Sequence, residues 1–193
     1  RLKGVSFLGA IDKTHRNTHK QRRNRFQHSV DVAKLALFIC KKRGYPAEIE
    51  NHVVVAALLH DVGHAPLSHS MEMAFYDHFE INHHIATERI LNGKTTEHND
   101  LHKIDHSVLH KILKKKLNIT LLNQLIEQRS NDVFADIFNS PINVDTIDGI
   151  HKSLLYFHAS PSRFFNRYTV ASAAFLNTEE SKQKHLDNFW QCK

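Results

Sequence analysis

Val53-Val54-Val55-Ala56-Ala57-Leu58-Leu59-His60-Asp61-Val62-Gly63-His64-Ala65-Pro66-Leu67-Ser68-His69 is the stretch on which the reading of this chain turns. Its wholly apolar part, Val53 to Leu59, is seven residues long, far short of the roughly 20 that a bilayer-spanning helix needs. It continues a stripe that begins at Ile49: Ile49, Val53, Ala56 and Leu59 recur at the spacing of one buried helix face. The helix they predict starts after Tyr45-Pro46 and ends at His60-Asp61, ahead of Gly63 and Pro66. An imidazole and a carboxylate therefore stand together at the end of a core helix. Such a pair is costly to bury without a partner, so the rest of the chain has to supply one.

Upstream, the pattern predicts a helix over about 26–42, with Val32, Leu35 and Ile39 on one stripe and Gly44 as the stop. His28 lies four residues before Val32 and so shares that inward stripe. Downstream, Pro66-Leu67-Ser68-His69 reads as a polar bend, followed by helices over 71–79 and 81–91, the latter closed by Gly93. A loop over 95–99 precedes helices over 101–117 and 119–127, then a short amphipathic piece over 133–138. Pro141 interrupts, a helix over 144–158 ends before Ser160-Pro161, and two weaker helices cover 168–176 and 181–190. Six glycines and four prolines punctuate this pattern, and no sustained strand-type alternation appears. The fold class expected is all-α, in one domain over residues 1–193, since no repeat, linker or composition break divides it.

Composition sets the outer bounds. A chain of 193 residues that is 41% hydrophobic can bury roughly 70% of its unfolded surface, which excludes intrinsic disorder. The 26 Lys and Arg against 20 Asp and Glu give a net charge of +6, compatible with nucleic acid, nucleotides or small phosphate esters without selecting among them. The two cysteines, Cys40 and Cys192, form neither a metal pair nor a disulfide framework. With no signal-like run, this leads to the expectation of a soluble, cytoplasmic protein with no membrane partner. The opening Arg1 is what a trimmed chain would show. Neither a P-loop nor a dinucleotide-binding glycine pattern is present, and no elbow motif locates a nucleophilic serine.

The 17 histidines are the stronger signal. His28, the pair His60-Asp61, and Asp145 offer imidazole nitrogen and carboxylate oxygen, a donor set suited to Zn, Mn or Fe with a position left for water. Asp148, one turn after Asp145, could take its place, in which case Asp145 could cap its helix.

Arg25-Phe26-Gln27-His28, then Leu58-Leu59-His60-Asp61-Val62-Gly63-His64, then Val144-Asp145 resembles the HD-domain superfamily of metal-dependent phosphohydrolases, over about 25–158. The resemblance implies a compact all-α bundle with a divalent ion (Mn, Fe, Zn or Mg) on His28, His60, Asp61 and Asp145. It leaves room for a second ion bridged by Asp61. Within that superfamily, residues 60–69 look like the branch of deoxynucleoside triphosphate triphosphohydrolases. That likeness carries over His64 directly, Glu72 where the branch usually has Asp, and His83, with Thr87 at the expected interval and His84 as the competing assignment. Two places depart from the branch. Its phosphate-touching Lys and its sugar-packing Tyr are here Thr146 and Gly149, which leaves the triphosphate substrate open, and Lys152 stands one turn on as a compensating phosphate contact.

Phosphate ester hydrolysis needs a metal-activated water and a proton donor at the leaving or a nonbridging oxygen. An imidazolium held by a carboxylate meets the second need, which makes His64, Glu72 and His83 a catalytic relay. Arg25, one turn before His28, would hold phosphate charge, with Arg22 and Arg23 as a wider rim. His98, His102, His106 and His110 recur every four residues beside several lysines and read as a solvated basic face. Phe157, Phe164, Phe165, Phe189 and Trp190 read as core packing. The function expected is metal-dependent hydrolysis of a nucleotide or related phosphate ester, by a chain that a homo-oligomeric state also suits. The alternative is an HD-fold regulatory or nucleic-acid-binding module with little turnover.

Overall fold

The computed structural model describes residues 2–5, 7, 24–65, 68–94, 107–156, 166–176 and 182–192. These form helices and turns, with no strand among the described residues. Among the described residues the α-helices are α1 (Arg25–Arg43), α2 (Ala47–Leu59), α3 (Glu72–Phe79), α4 (His83–Leu91), α5 (Ser107–Lys114), α6 (Ile119–Ile126), α7 (Asp136–Asn139), α8 (Val144–Tyr156), α9 (Arg167–Phe175) and α10 (Lys182–Cys192). Short 3-10 turns occupy Leu2–Gly4, Ser68–Met71 and Val133–Ala135.

Helix α1 shows why the site lies where it does. Its start is fixed by the Asn24 side chain, which accepts the Gln27 N–H at 2.9 Å. Its end is fixed by Gly44 at φ 66°, whose N–H reaches the Cys40 and Lys41 carbonyls. The face buried between these caps changes character along its length, from Arg25, His28 and Ser29 to Val32, Leu35, Ala36, Ile39 and Cys40. The apolar part packs most extensively on α2, with α8 and α9 on its other sides, and α2 in turn packs on α6. Val32, Ile39, Val53, Ala56, Leu122, Leu125, Ile137, Ile147 and Phe189 are wholly buried in the core. The polar end of α1 is thereby carried into the protein at one end of the bundle.

At the opposite end, Arg43 ties α1 to two later helices. Its guanidinium meets Asp136 of α7 through both terminal nitrogens, at 2.7 and 2.6 Å, and donates to the Phe175 carbonyl of α9. A two-pronged charged contact of this kind fixes direction as well as distance.

The expected piece over 133–138 is in fact a 3-10 turn followed by α7, and α5 covers only the later part of the expected 101–117 helix within the described residues. His110 of that helix donates from Nδ1 to the Leu91 carbonyl at 2.8 Å, so its imidazole serves α4–α5 packing and not a solvated face. Phe189 is wholly buried, as expected of core packing, whereas Trp190 is 46% exposed. Arg22, Arg23, His98, His102, His106, Phe157, Phe164 and Phe165, with the 95–99 loop, lie outside the described residues. No described helix is long and apolar enough to cross a membrane.

Candidate metal centre

Three helices deliver four side chains to one place. His28 comes from the first turn of α1, His60 and Asp61 from the turn that ends α2, and Asp145 from the first turn of α8. The candidate ligand atoms of His28, His60 and Asp145 lie within 4.8 Å of one another. Asp61 is set among them, with Oδ2 3.6 Å from His28 Nε2 and Oδ1 3.5 Å from His60 Nε2.

The two imidazoles are oriented from behind. His28 donates from Nδ1 to Asp148 Oδ2 at 2.7 Å, and His60 donates from Nδ1 to the Ala57 carbonyl at 2.7 Å. Each ring is thereby fixed with Nε2 turned toward Asp145, which lies 2.8 Å from His28 Nε2 and 3.6 Å from His60 Nε2. His60 Nε2 is buried and makes no hydrogen bond among the described residues. A buried ring nitrogen aimed between two carboxylates, with its other nitrogen tied to an acceptor, is the arrangement of a metal-ligating histidine. The residues present therefore fit a divalent ion.

Electrostatics agree with the donor set. His60 is pushed up to about 9: burial would lower it, and Asp61 and Asp145 outweigh burial. His28 is raised as well, its burial overcome by hydrogen bonds to Asp145 and Asp148. Asp61 is held well below the usual carboxylate range, against the cost of burial, by His60, His64 and Arg25. The carboxylates of Asp61 and Asp145 are thus held ionised beside the two imidazoles, as donors to a cation must be.

Asp148 does not take the place of Asp145. It is wholly buried on the far side of His28, where Lys152 and Arg167 also hold it. Lys152 Nζ sits 2.5 Å from Asp148 and 2.8 Å from Asp31 and is almost wholly buried. Lys152, the expected phosphate contact, is here paired with two internal carboxylates, the i, i+4 spacing on α8 pointing it at Asp148. Arg25 is also buried, with Nη1 2.7 Å from Asp61 Oδ2 and its guanidinium over the Phe7 ring, yet it lines two cavities that border the cluster.

A second cluster adjoins the first. Gly63 donates its N–H to Thr87 Oγ1 at 3.0 Å, and Thr87 Oγ1 donates to the His83 carbonyl at 2.8 Å. This clasp seats the start of α4 against the turn after α2, so that the His64 and His83 rings stack with centroids 4.2 Å apart. Glu72 accepts from His83 Nδ1 and, at 2.9 Å, from His69 Nδ1. His84 stays exposed beside His83, so it is His83 that Glu72 holds. Sequence reasoning left His69 out of the site, although its Pro-x-Ser-His context was the available signal. His64, His69 and His83 make a second group able to hold an ion, and Asp61 Oδ1, 3.0 Å from His64 Nε2, spans the two groups.

Burial works against the imidazolium expected of the relay residues near neutral pH. Burial lowers His64 to about 4 despite Asp61, and it lowers His83 despite Glu72. Glu72 itself drops to about 2, because hydrogen bonds from His69 and His83 outweigh burial.

Comparison with known proteins gives a consistent picture. Residues 25–131 match the HD domain family. The uncharacterized protein YwfO of Bacillus subtilis strain 168 is 29% identical over 169 residues, which is 85% of this chain and 35% of that protein. An uncharacterized protein of Methanocaldococcus jannaschii is 32% identical over 112 residues, 58% of this chain and 21% of that one. A solved structure of a hypothetical protein from Aquifex aeolicus superposes with a TM-score of 0.72 at 23% identity, covering 99% of this chain and 49% of that chain. The chain thus spans about a third or less of these curated relatives, and at that identity the solved structure shows a shared fold.

Proposed function

The chain belongs to the HD domain family, and on that premise we propose that it is a metal-dependent phosphohydrolase acting on a nucleotide or a related phosphate ester. The observation that carries this reading is the convergence of His28, His60 and Asp145 around a buried Asp61, beside a second imidazole cluster. His28, His60, Asp61 and Asp145 would hold a divalent ion. When bound there, the ion would supply Lewis acidity toward water and phosphoryl oxygen.

The protein's own groups do the remaining work. Asp148 and the Ala57 carbonyl fix the hydrogens of His28 and His60 at Nδ1, so that Nε2 faces the reacting centre. Arg25, pinned by Asp61 at the cavity wall, sets positive charge where a phosphate would lie. Glu72 fixes the His83 hydrogen at Nδ1, which turns His83 Nε2 into the atom that takes up and returns a proton. His64 and His83 are lowered by burial, and an incoming phosphate anion would draw a proton onto them, since a nearby opposite charge favours the charged form.

The test is metal stoichiometry of protein purified without chelator, followed by a mass-spectrometric screen of nucleoside mono-, di- and triphosphates, cyclic nucleotides and sugar phosphates. A His60→Ala/Asp61→Ala variant runs alongside. The expected result is turnover that chelation removes, Mn restores and the variant lacks. Intact triphosphate released from a deoxynucleoside triphosphate would support the triphosphohydrolase branch. Bound metal with no variant-sensitive turnover would overturn the enzymatic reading in favour of a regulatory or nucleic-acid-binding role with salt-dependent affinity.

A further inference from the structure

Three helices of the bundle end in the same two-bond cap, and one of them does so without glycine. At the end of α1 the Gly44 N–H donates to the Lys41 carbonyl at 3.2 Å and the Tyr45 N–H to the Cys40 carbonyl at 3.1 Å. At the end of α4 the Gly93 N–H donates to the Ile90 carbonyl at 3.2 Å and the Lys94 N–H to the Arg89 carbonyl at 2.9 Å. The end of α6 repeats the pattern, with the Gln128 N–H on the Leu125 carbonyl at 3.2 Å and the Arg129 N–H on the Gln124 carbonyl at 2.8 Å. The first donor of such a cap takes a left-handed backbone, and φ is 66° at Gly44, 69° at Gly93 and 57° at Gln128. Around Gly44 a Cβ would find open space, so the backbone angle alone asks for glycine there. Any residue with a Cβ is disfavoured at that angle, because the Cβ crowds the following carbonyl.

The side chain of Gln128 parts company with its neighbours. Glu127 and Arg129 pair with each other and line a groove shared with Glu88 and Asn92 of α4. Gln128 instead lines the cavity of about 90 Å³ that also touches Arg25, His60, Asp61, His64, His83 and Asp145. It is exposed, and so stands at the mouth of that cavity. The space is well below the roughly 300–1,000 Å³ of whole-ligand sites, a size for a phosphoryl group and not for a complete nucleotide. Glu80 is the contrast. It is the other non-glycine residue with positive φ among the described residues, at 53° on the end of α3, and it lines neither cavity that borders the cluster.

Resting on the phosphohydrolase reading, we propose that Gln128 is a substrate-contacting residue. The left-handed cap of α6 holds its amide at the mouth of the catalytic cavity, where the side-chain N–H donates to a phosphoryl oxygen. Glutamine suits that place: its NH₂ offers two donors, and an uncharged donor adds to Arg25 without competing for the carboxylates of Asp61 and Asp145 as a lysine would. A glycine would relieve the backbone and leave that side of the cavity to water. Disfavoured backbone kept at a reacting cavity is strain retained for function.

The experiment compares Mn-loaded wild type with Gln128→Gly, Gln128→Glu and Glu80→Gly. It measures thermal melts, metal stoichiometry, and calorimetric binding of inorganic phosphate and inorganic triphosphate. Both glycine variants should melt above wild type, since each frees a left-handed residue. Glu80→Gly should keep wild-type anion affinity. Gln128→Gly should keep its metal and bind the anions roughly tenfold more weakly, as loss of a hydrogen bond to a charged group implies. Gln128→Glu, of the same size but without the NH₂, should lose at least as much. Unchanged anion affinity in Gln128→Gly would overturn the proposal and leave the glutamine a tolerated cap. So would a Gln128→Gly that melts below wild type or loses its metal, since the side chain would then serve the fold or the ligand set, and so would an equal affinity loss in Glu80→Gly. Wild type that binds neither Mn nor either anion would overturn the underlying reading, and this inference with it.

Discussion

His28 is wholly buried between two carboxylates, Asp145 on its Nε2 side and Asp148 on its Nδ1 side. The second of these carries no reacting group, and its job is to hold the ring. Asp148→Asn keeps the side-chain volume and removes the charge that His28, Lys152 and Arg167 share. Loss of such an outer partner weakens metal binding by roughly 10–100-fold. Titration of the variant with Mn should show that loss with an unchanged helical circular dichroism spectrum, and wild-type affinity would remove Asp148 from the support of His28. The place of His28 and of His60-Asp61 was legible because the first sits on an inward stripe and the pair at the end of a buried helix, whereas Asp145, in the first turn of α8, was pointed to by the family resemblance. The division of labour between Asp145 and Asp148 was not legible. Both lie on one face of α8, and only the placement of α1 against that face decides which side of the ring each one meets.

At the scale of elements, helix ends followed the sequence closely where a glycine marked them, as at Gly44 and Gly93. Contacts between elements left no such signature. The clasp between the turn after α2 and the start of α4 depends on Gly63 for close approach rather than for backbone conformation. A methyl there would push into the Thr87 backbone nitrogen and the His83 carbonyl. Gly63→Ala should therefore cost roughly 1–3 kcal/mol, the usual range for overpacking, read from the midpoint of a urea melt. Because the clasp also seats His83 opposite His64, the variant should lose turnover beyond what its stability loss explains. A melt superimposable on wild type would show that α4 gives way without cost.

For the whole molecule, the all-α bundle was legible from periodicity, but the internal ion network was not, because its partners are far apart in sequence. Asp31, Asp148, Lys152 and Arg167 come from α1, α8 and α9 and meet behind His28. His151 of α8 is packed beside them. Its ordinary value of 6.5 falls to about 4, first through burial and then through the positive charges of Arg167 and Lys152, with Asp148 and Asp31 opposing. The consequence for folding has a definite sign. An unfolded chain protonates this imidazole near 6.5, whereas the folded chain resists until about 4, so between those values the unfolded state binds more protons. Stability is fully present above the unfolded value and is lost as pH falls toward the folded one. His64, also lowered to about 4, adds to the same loss, so the variant isolates one share of it. Urea melts of wild type and His151→Gln at neutral pH and at about pH 5 should show a smaller acid loss in the variant, which no longer carries the titrating ring. Equal losses in the two proteins would mean that the folded bundle accepts a proton at His151 as readily as the unfolded chain does.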